Sequence, residues 1–360
     1  MRDSEDLPPR IIAERSKHLA KDSRPPRLAY RTGAGRAYHS TLRSFLDSRA
    51  GRTLQGKVDL ILTSPPFPLN RKKRYGNFQG DRYLEWLKEL APDLVRLLKP
   101  KGSIVVELGN AWEPGSPVMS TLPTRALLSF MEAGGLNLCE EFIGYNKARL
   151  PAPIQWVNVE RTRVKDAYTH IWWMSPSERP RADNRRVLRD YSPAMKELIK
   201  TGKYNSGSRP SEYVIGKKSF RKDNGGAIPP NVIEFANTSA REPYLDYCES
   251  KRLDPHPARM NAEVARFFVK FLAPRRGVVF DPFAGSNITG AIAESLGRRW
   301  VAVDRDSSYL RGSRGRFLQT GGKRAGADRG RAVRHSARRG RRRDGKTRAR
   351  SVRGRSRLAD

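Results

Sequence analysis

Cysteine is almost absent from this sequence. Cys139 and Cys248 stand far apart in 360 residues, which excludes a disulfide framework and every zinc spacing that needs cysteine pairs. The five histidines are scattered, with no HxH or HxxxH pair among them, so no metal centre is expected and a reducing cytoplasm is the expected setting. Long apolar runs are missing as well. No stretch approaches the roughly 20 apolar residues of a membrane span, and MRDSEDLPPR is too charged to open a signal peptide. Acidic residues are few: 37 Asp and Glu stand against 71 Lys and Arg, a formal net charge of +34. That imbalance points to a polyanionic partner, and without a membrane segment nucleic acid is the expected one.

What is present alternates. VDLILTS (58–64) is a short β-rich run bounded by turn residues and predicts a buried strand. DRYLEWLKELAPDLVRLLKP (81–100) has helical apolar spacing and stops at Pro100, Lys101 and Gly102. GSIVVELGN (102–110) predicts a second strand, and TLPTRALLSFMEAGG (121–135) a second helix. MNAEVARFFVKFLAP (260–274), GVVFDPF (277–283), AGSNITGAIAESLG and RRWVAVD (298–304) continue as helix, strand, turn with helix, and strand. Such alternation predicts an α/β fold with a parallel sheet covered on both faces.

Two regions break the pattern. Residues 176–255 are rich in Gly, Pro, Ser and cations with aromatics between them, the composition of a surface that follows phosphates and reads bases. Lys217, Lys218, Arg221 and Lys222 are its candidate nucleic-acid contacts. From Arg311 to the end the chain is Arg/Gly/Ser-rich, with 19 Lys and Arg against 3 acids, and is expected to stay disordered. The expected organisation is a flexible segment 1–35, a catalytic half 36–175, a target-recognition region 176–255, a cofactor-binding half 256–310 and the tail 311–360. The Trp172-Trp173 pair is assigned to sheet packing.

VVFDPFAGSNITGAIAESLGRRWVAVD reads as a strand, a glycine turn, a helix and a second strand ending in an acid. Asp304 lies nineteen residues past Gly285, the spacing at which a Rossmann-like unit sets a carboxylate on ribose hydroxyls. GSNITG lacks the middle glycine that admits a pyrophosphate, and Asp281 at the tip of the first strand opposes a phosphate. An acid there suits a ligand with a cationic amine beside a nucleoside, and S-adenosyl-L-methionine is one. The other motif, VDLILTSPPFPLN, ends a core strand with a hydroxyl, two stiff prolines and an aromatic ring. Taken alone, each motif also admits an ordinary reading, as turns of a β-α-β unit or as a proline-rich loop.

Together, TSPPF (63–67) followed by DPFAGSN (281–287) resembles the amino-methylating DNA methyltransferases, specifically the cytosine-N4 branch of restriction–modification systems. YNSGSRP, KSFRKDNGGAIPPN, YCES and HPARM (256–260) are similar to stretches between those motifs, and the resemblance covers about residues 38–310. It implies a Rossmann-like methyltransferase fold with permuted motif order and an inserted recognition region. It further implies S-adenosyl-L-methionine as cofactor, double-stranded DNA as substrate and a cognate endonuclease as possible partner. Asp281 would then face the methionine end of the cofactor, with Phe283, Gly285 and Ser286 shaping the pocket, Asp304 on the ribose and His256 beside the methionine tail. Two positions depart from the family pattern: Tyr38-His39-Ser40 stands where a Gly-Asp pair is common, and Ile288 where a hydroxyl is common.

The chemistry agrees with that resemblance. An exocyclic amine is a poor nucleophile because its lone pair is delocalised into the ring, so a site must hold its protons and aim it at an electrophilic methyl. The Ser64 hydroxyl and the Pro65 carbonyl are candidate acceptors, Pro65 and Pro66 stiffen the loop, and Phe67 can stack on a base turned out of the duplex. Adenine-N6 methylation by the same fold is the alternative, although Asp or Asn usually replaces the serine there. A DNA-binding protein with a decayed methylase fold is the third reading.

Overall fold

The computed structural model describes residues 24–67, 80–204, 206–216, 222–235 and 242–318. The chain divides into two units, 1–321 and 322–360, and the second lies wholly outside the described residues. In chain order the strands are β1 (Arg27–Arg31), β2 (Gly35–His39), β3 (Val58–Thr63), β4 (Leu98–Gly109), β5 (Asn137–Asn146), β6 (Tyr168–Ser175), β7 (Gly207–Ser208), β8 (Val214–Ile215), β9 (Val232–Phe235), β10 (Val278–Asp281) and β11 (Arg299–Asp304). The short β7 and β8 pair with each other. The rest form one nine-stranded sheet in the order β1-β2-β11-β10-β3-β4-β6-β5-β9.

The sequence of β3 explains the parallel centre. VDLILT lacks polar alternation, and all six residues are buried. Val58 and Ile61 join one apolar cluster, Leu60 and Leu62 the other. A strand buried on both faces needs helices on both. Asp81–Val95 and Leu122–Gly134 cover the first face, Ala262–Leu272 and Ile288–Ser295 the second. Asp59 is the buried acid of β3, and its oxygens are satisfied: Lys99 Nζ donates at 2.8 and 2.7 Å, and the Val278 amide donates at 2.9 Å. The last bond joins β3 to its parallel neighbour β10. From β10 the chain moves to β11 on one side, and from β3 to β4 on the other, so the loops at the carboxyl ends part between β3 and β10. Such a switch point opens a crevice. The TSPPF strand thus precedes the DPFAGS strand in sequence and lies beside it in space, the permuted Rossmann-like arrangement.

Several boundaries differ from the sequence expectation. The segment expected to be flexible to residue 35 contains β1 and the start of β2, an antiparallel pair on the sheet edge. Tyr30 anchors it: its hydroxyl lies 2.6 Å from Ser313 Oγ and accepts from Asn287 Nδ2 at 2.9 Å. The fold also continues past 310. Ser307–Ser313 and Gly315–Leu318 are helical, and Phe317 stacks on Trp300 with ring centroids 5.0 Å apart. The basic tail therefore begins after Leu318, and residues 319–360 lie outside the described residues. The expected recognition region gives its end to the core, because β9 pairs with β5 and Pro243–Ser250 buries Tyr244 and Cys248. The helix expected over 81–100 stops at Val95, since the Leu97 carbonyl accepts the Lys57 and Val58 amides and draws the chain into β4. Trp172 and Trp173 are buried in β6 as expected, with Trp173 Nε1 donating to Ser103 Oγ at 2.9 Å. No helix among the described residues is long and apolar enough to cross a membrane.

Candidate active site

The carboxyl ends of β3, β4, β10 and β11 open into one cavity of about 1020 Å³. The DPFAGSN turn forms its first wall. Asp281, the last residue of β10, is buried, and its Oδ1 accepts from Thr63 Oγ1 at 2.9 Å and from the Phe283 amide at 3.1 Å. Burial pushes its carboxyl up to about 6, and those hydrogen bonds act in the opposite direction. Gly285 has φ of +48° and Asn287 of +51°, which turns the chain sharply into the Ile288–Ser295 helix. Asn287 caps that helix by accepting the Gly290 amide at 3.0 Å.

Asp304 ends β11 across the turn. Its Oδ2 accepts the Gly285 amide at 2.7 Å and its Oδ1 the Asp306 amide at 2.8 Å. A carboxylate has about four acceptor sites, so two remain for a ligand's hydroxyls in the cavity. Burial also raises this carboxyl to about 6. The His256 imidazole lies over Gly285 and meets the Tyr309 ring edge-on at 4.4 Å. Desolvation lowers its pKa. Ser286 lines the same wall, but its hydroxyl accepts from Arg316 Nη2 at 3.2 Å and its carbonyl from Arg316 Nε at 2.7 Å. Arg316 is itself paired with Glu242, which also holds Arg259 at 3.4 Å.

The opposite wall is the segment after β3. Ser64, Pro65, Pro66 and Phe67 all line the cavity. Phe67 packs against the end of β4, where a Cβ on Gly109 would come within 2.6 Å of its ring; glycine there makes space for the aromatic. Glu107 of β4 faces the same cavity, buried, with its carboxyl pushed by desolvation to about 7. It accepts from Thr169 Oγ1 at 3.2 Å, and the charge of Arg149 draws its pKa the other way. Trp86 closes this side, its ring 5.6 Å from Phe283. One half of the cavity thus carries carboxylates suited to a cationic nucleoside ligand, the other a hydroxyl, a carbonyl and aromatic rings suited to an amino base.

Comparison with known proteins decides the family. The sequence model described as DNA methylase matches residues 58–314, which spans both motifs. The chain belongs to the DNA methylase family. It is 39% identical over 292 residues to the type II methyltransferase M.PvuII of Proteus hauseri, covering 81% of this chain and 85% of that one. A solved structure of the cytosine-N4-specific PvuII DNA methyltransferase superposes with a TM-score of 0.64 at 32% identity, covering 81% of this chain and 89% of that one. The DNA adenine methyltransferase YhdJ of Escherichia coli is more distant, 22% identical over 71% of this chain and 74% of its own length.

In this DNA methylase the ten residues expected at the catalytic and cofactor sites, Ser64 to Phe67 together with His256, Asp281, Phe283, Gly285, Ser286 and Asp304, line a single cavity. Of the expected nucleic-acid contacts, Lys222 is exposed, while Lys217, Lys218 and Arg221 lie outside the described residues. Tyr38 packs on Phe45, whereas His39 and Ser40 line the cavity. Ile288 is buried in the second core cluster and also lines the cavity. Glu107, Trp86 and Thr63 were not anticipated. Glu107 did carry a signal: an acid inside the apolar run SIVVELG is costly to bury unless it serves a purpose.

Proposed function

We propose that this chain transfers a methyl group from S-adenosyl-L-methionine to the N4 amino group of cytosine at a specific site in double-stranded DNA, within a restriction–modification system. The carrying observation is the shared cavity in which Ser64-Pro65-Pro66-Phe67 faces Asp281 and Asp304, with Thr63 donating to Asp281 between them. The residues present fit the cofactor. Asp281 takes the cationic methionine end, Asp304 has acceptor sites left for ribose hydroxyls, and the glycine at 285 lets the His256 ring close over the turn. Bound there, S-adenosyl-L-methionine supplies an electrophilic methyl.

The chain's own residues do the rest. Ser64 Oγ and the Pro65 carbonyl accept the amine protons of a base turned out of the duplex, which localises the nitrogen lone pair. Phe67 stacks on the base, and the two prolines hold the acceptors in place before the base arrives. N4 loses a proton as it is methylated, and Glu107, with a pKa near 7, is matched to take it at neutral pH. Ser286 acts on the cofactor wall through its backbone amide, its hydroxyl and carbonyl being held by Arg316. Residues 176–231, with Lys217, Lys218, Arg221 and Lys222, read the target sequence. The enzyme works in the cytoplasm, at the nucleoid while on DNA, alongside an endonuclease that cuts the same site when unmethylated.

Expression in a methylation-free host followed by modification-sensitive sequencing tests this reading. The expected result is 4-methylcytosine at one position of one short sequence. N6-methyladenine would move the target to adenine, and an unmodified genome would leave a DNA-binding protein.

A further inference from the structure

A second hollow, of about 480 Å³, lies on the β1 side of the sheet. Four cations line it from separate parts of the chain: Arg27 on β1, Lys251 just after the Pro243–Ser250 helix, and Arg311 and Arg314 on and after the Ser307–Ser313 helix. No carboxylate is among its lining residues. All four cations are exposed, and among the described residues none of the four side chains is in an ion pair. Elsewhere on the surface Arg125, Lys147 and Arg185 each meet an acid within 3 Å. Four unpaired like charges around a concavity repel one another and concentrate positive potential there. Nothing in the fold requires that arrangement, because the apolar anchors of these elements, Tyr30 and Leu310, are buried beneath it.

The hollow adjoins the catalytic cavity, since His39 and Ser307 line both. β1 is four strand spacings from β3, whose end leads into Ser64–Phe67, a separation of about 19 Å at roughly 4.8 Å per strand. We propose that the hollow holds the sugar-phosphate backbone of the duplex to one side of the target base, a phosphate site whose lining residues come from outside residues 176–231. This rests on the reading that the chain acts on duplex DNA.

The test uses the full chain and two double variants, Arg311→Gln with Arg314→Gln, and Arg27→Gln with Lys251→Gln. Affinity for a duplex fragment is measured by fluorescence anisotropy over a salt series, and S-adenosyl-L-methionine affinity by calorimetry reports that the fold is intact. Each phosphate contact contributes about 0.9 to the slope of log affinity against log salt, so each double variant should lower the slope by about 1 to 2 with cofactor affinity unchanged. An unchanged slope in both variants, with wild-type cofactor affinity, would overturn the proposal. Failure of the underlying reading looks different: the wild-type chain would bind duplex DNA but transfer no methyl, or would not bind it at all, and in the latter case the phosphate site falls as well.

Discussion

Thr63 Oγ1 donates to Asp281 Oδ1 at 2.9 Å, a bond between residues 218 positions apart in sequence. It joins the last residue of β3, after which the proposed base-holding segment begins, to the carboxylate proposed to receive the cofactor. Thr63→Val deletes the donor and keeps the side-chain shape. With one fewer bond to its charged form, Asp281 holds its proton more tightly. Losing one bond to a charged group raises the carboxyl by about one to two pH units, so affinity for S-adenosyl-L-methionine at pH 7.5 should fall about two- to sixfold. Calorimetry giving wild-type affinity would show that the two motifs are neighbours without being coupled.

The carboxyls of Asp281 and Asp304 set a pH dependence with a definite sign. Both are raised from 3.8 to about 6 by burial, and a cationic nucleoside favours their ionised forms. Cofactor affinity should therefore decline as pH drops below about 6, by about tenfold per unit for each carboxyl that must release its proton. Stability of the unliganded chain runs the other way. The folded state binds the Asp281 proton more tightly than the unfolded state, so this contribution is full below about pH 4 and is lost as pH rises to about 6. Asp281→Asn should consequently raise the melting temperature of the unliganded protein at pH 8, by up to about 3 kcal/mol in stability, while weakening cofactor binding. A melting temperature that falls in this variant would contradict the assignment.

Gly285 is constrained twice, by its φ of +48° and by the His256 ring, whose Nε2 lies 2.9 Å from where a Cβ would stand. Gly285→Ala adds about 1–2 kcal/mol of backbone strain and displaces the imidazole. Cofactor affinity should drop at least tenfold, and Gly285→Ala combined with His256→Ala should recover part of it by removing the clash. A double variant no better than the single one would leave backbone strain as the whole effect.

Two truncations separate the fold from the tail. A chain ending at Leu318 keeps Arg316 on Ser286 and Phe317 on Trp300, so it should bind cofactor as the full chain does. A chain ending at Leu310 loses both, leaves Glu242 without its Arg316 partner, and should lose cofactor affinity together with several degrees of melting temperature. Equal behaviour of the two chains would place the end of the fold at 310.

Those truncations also mark where the sequence was legible. The central strands could be read because parallel strands buried on both faces are continuous apolar runs, as VDLILT and VVFD are. Both motif segments could be read because their residue types are chemically unusual at strand ends. The edge hairpin could not: RLAYR and GRAYH bury Tyr30 and Ala37 and otherwise carry exposed or half-exposed residues, so they look like polar linker. Phe317 is one aromatic in an arginine-rich stretch, and its stacking on Trp300 is a tertiary fact without local pattern. Gly35 did hold a hidden clue, since a Cβ there would fall 2.1 Å from the Trp300 ring, but as the last residue of TGAG (32–35) it reads first as part of a turn. Trp86 sits at ordinary helical spacing, and its place in the cavity depends on how its helix lies on the sheet.

The central claim is that Ser64, at the head of Ser64-Pro65-Pro66-Phe67, holds a cytosine amine for methylation. Ser64→Ala keeps the stiff segment and removes one acceptor, a change that typically costs about 10²–10³ in rate, and it should leave cofactor affinity intact because the serine lies on the opposite wall. Mass spectrometry of nucleosides from DNA treated with the wild-type and variant chains measures this directly. The account predicts a 4-methylcytosine peak with the wild type that falls about 10²-fold or more in Ser64→Ala at equal time. N6-methyladenine as the sole product, or an undiminished 4-methylcytosine peak in the variant, would contradict it.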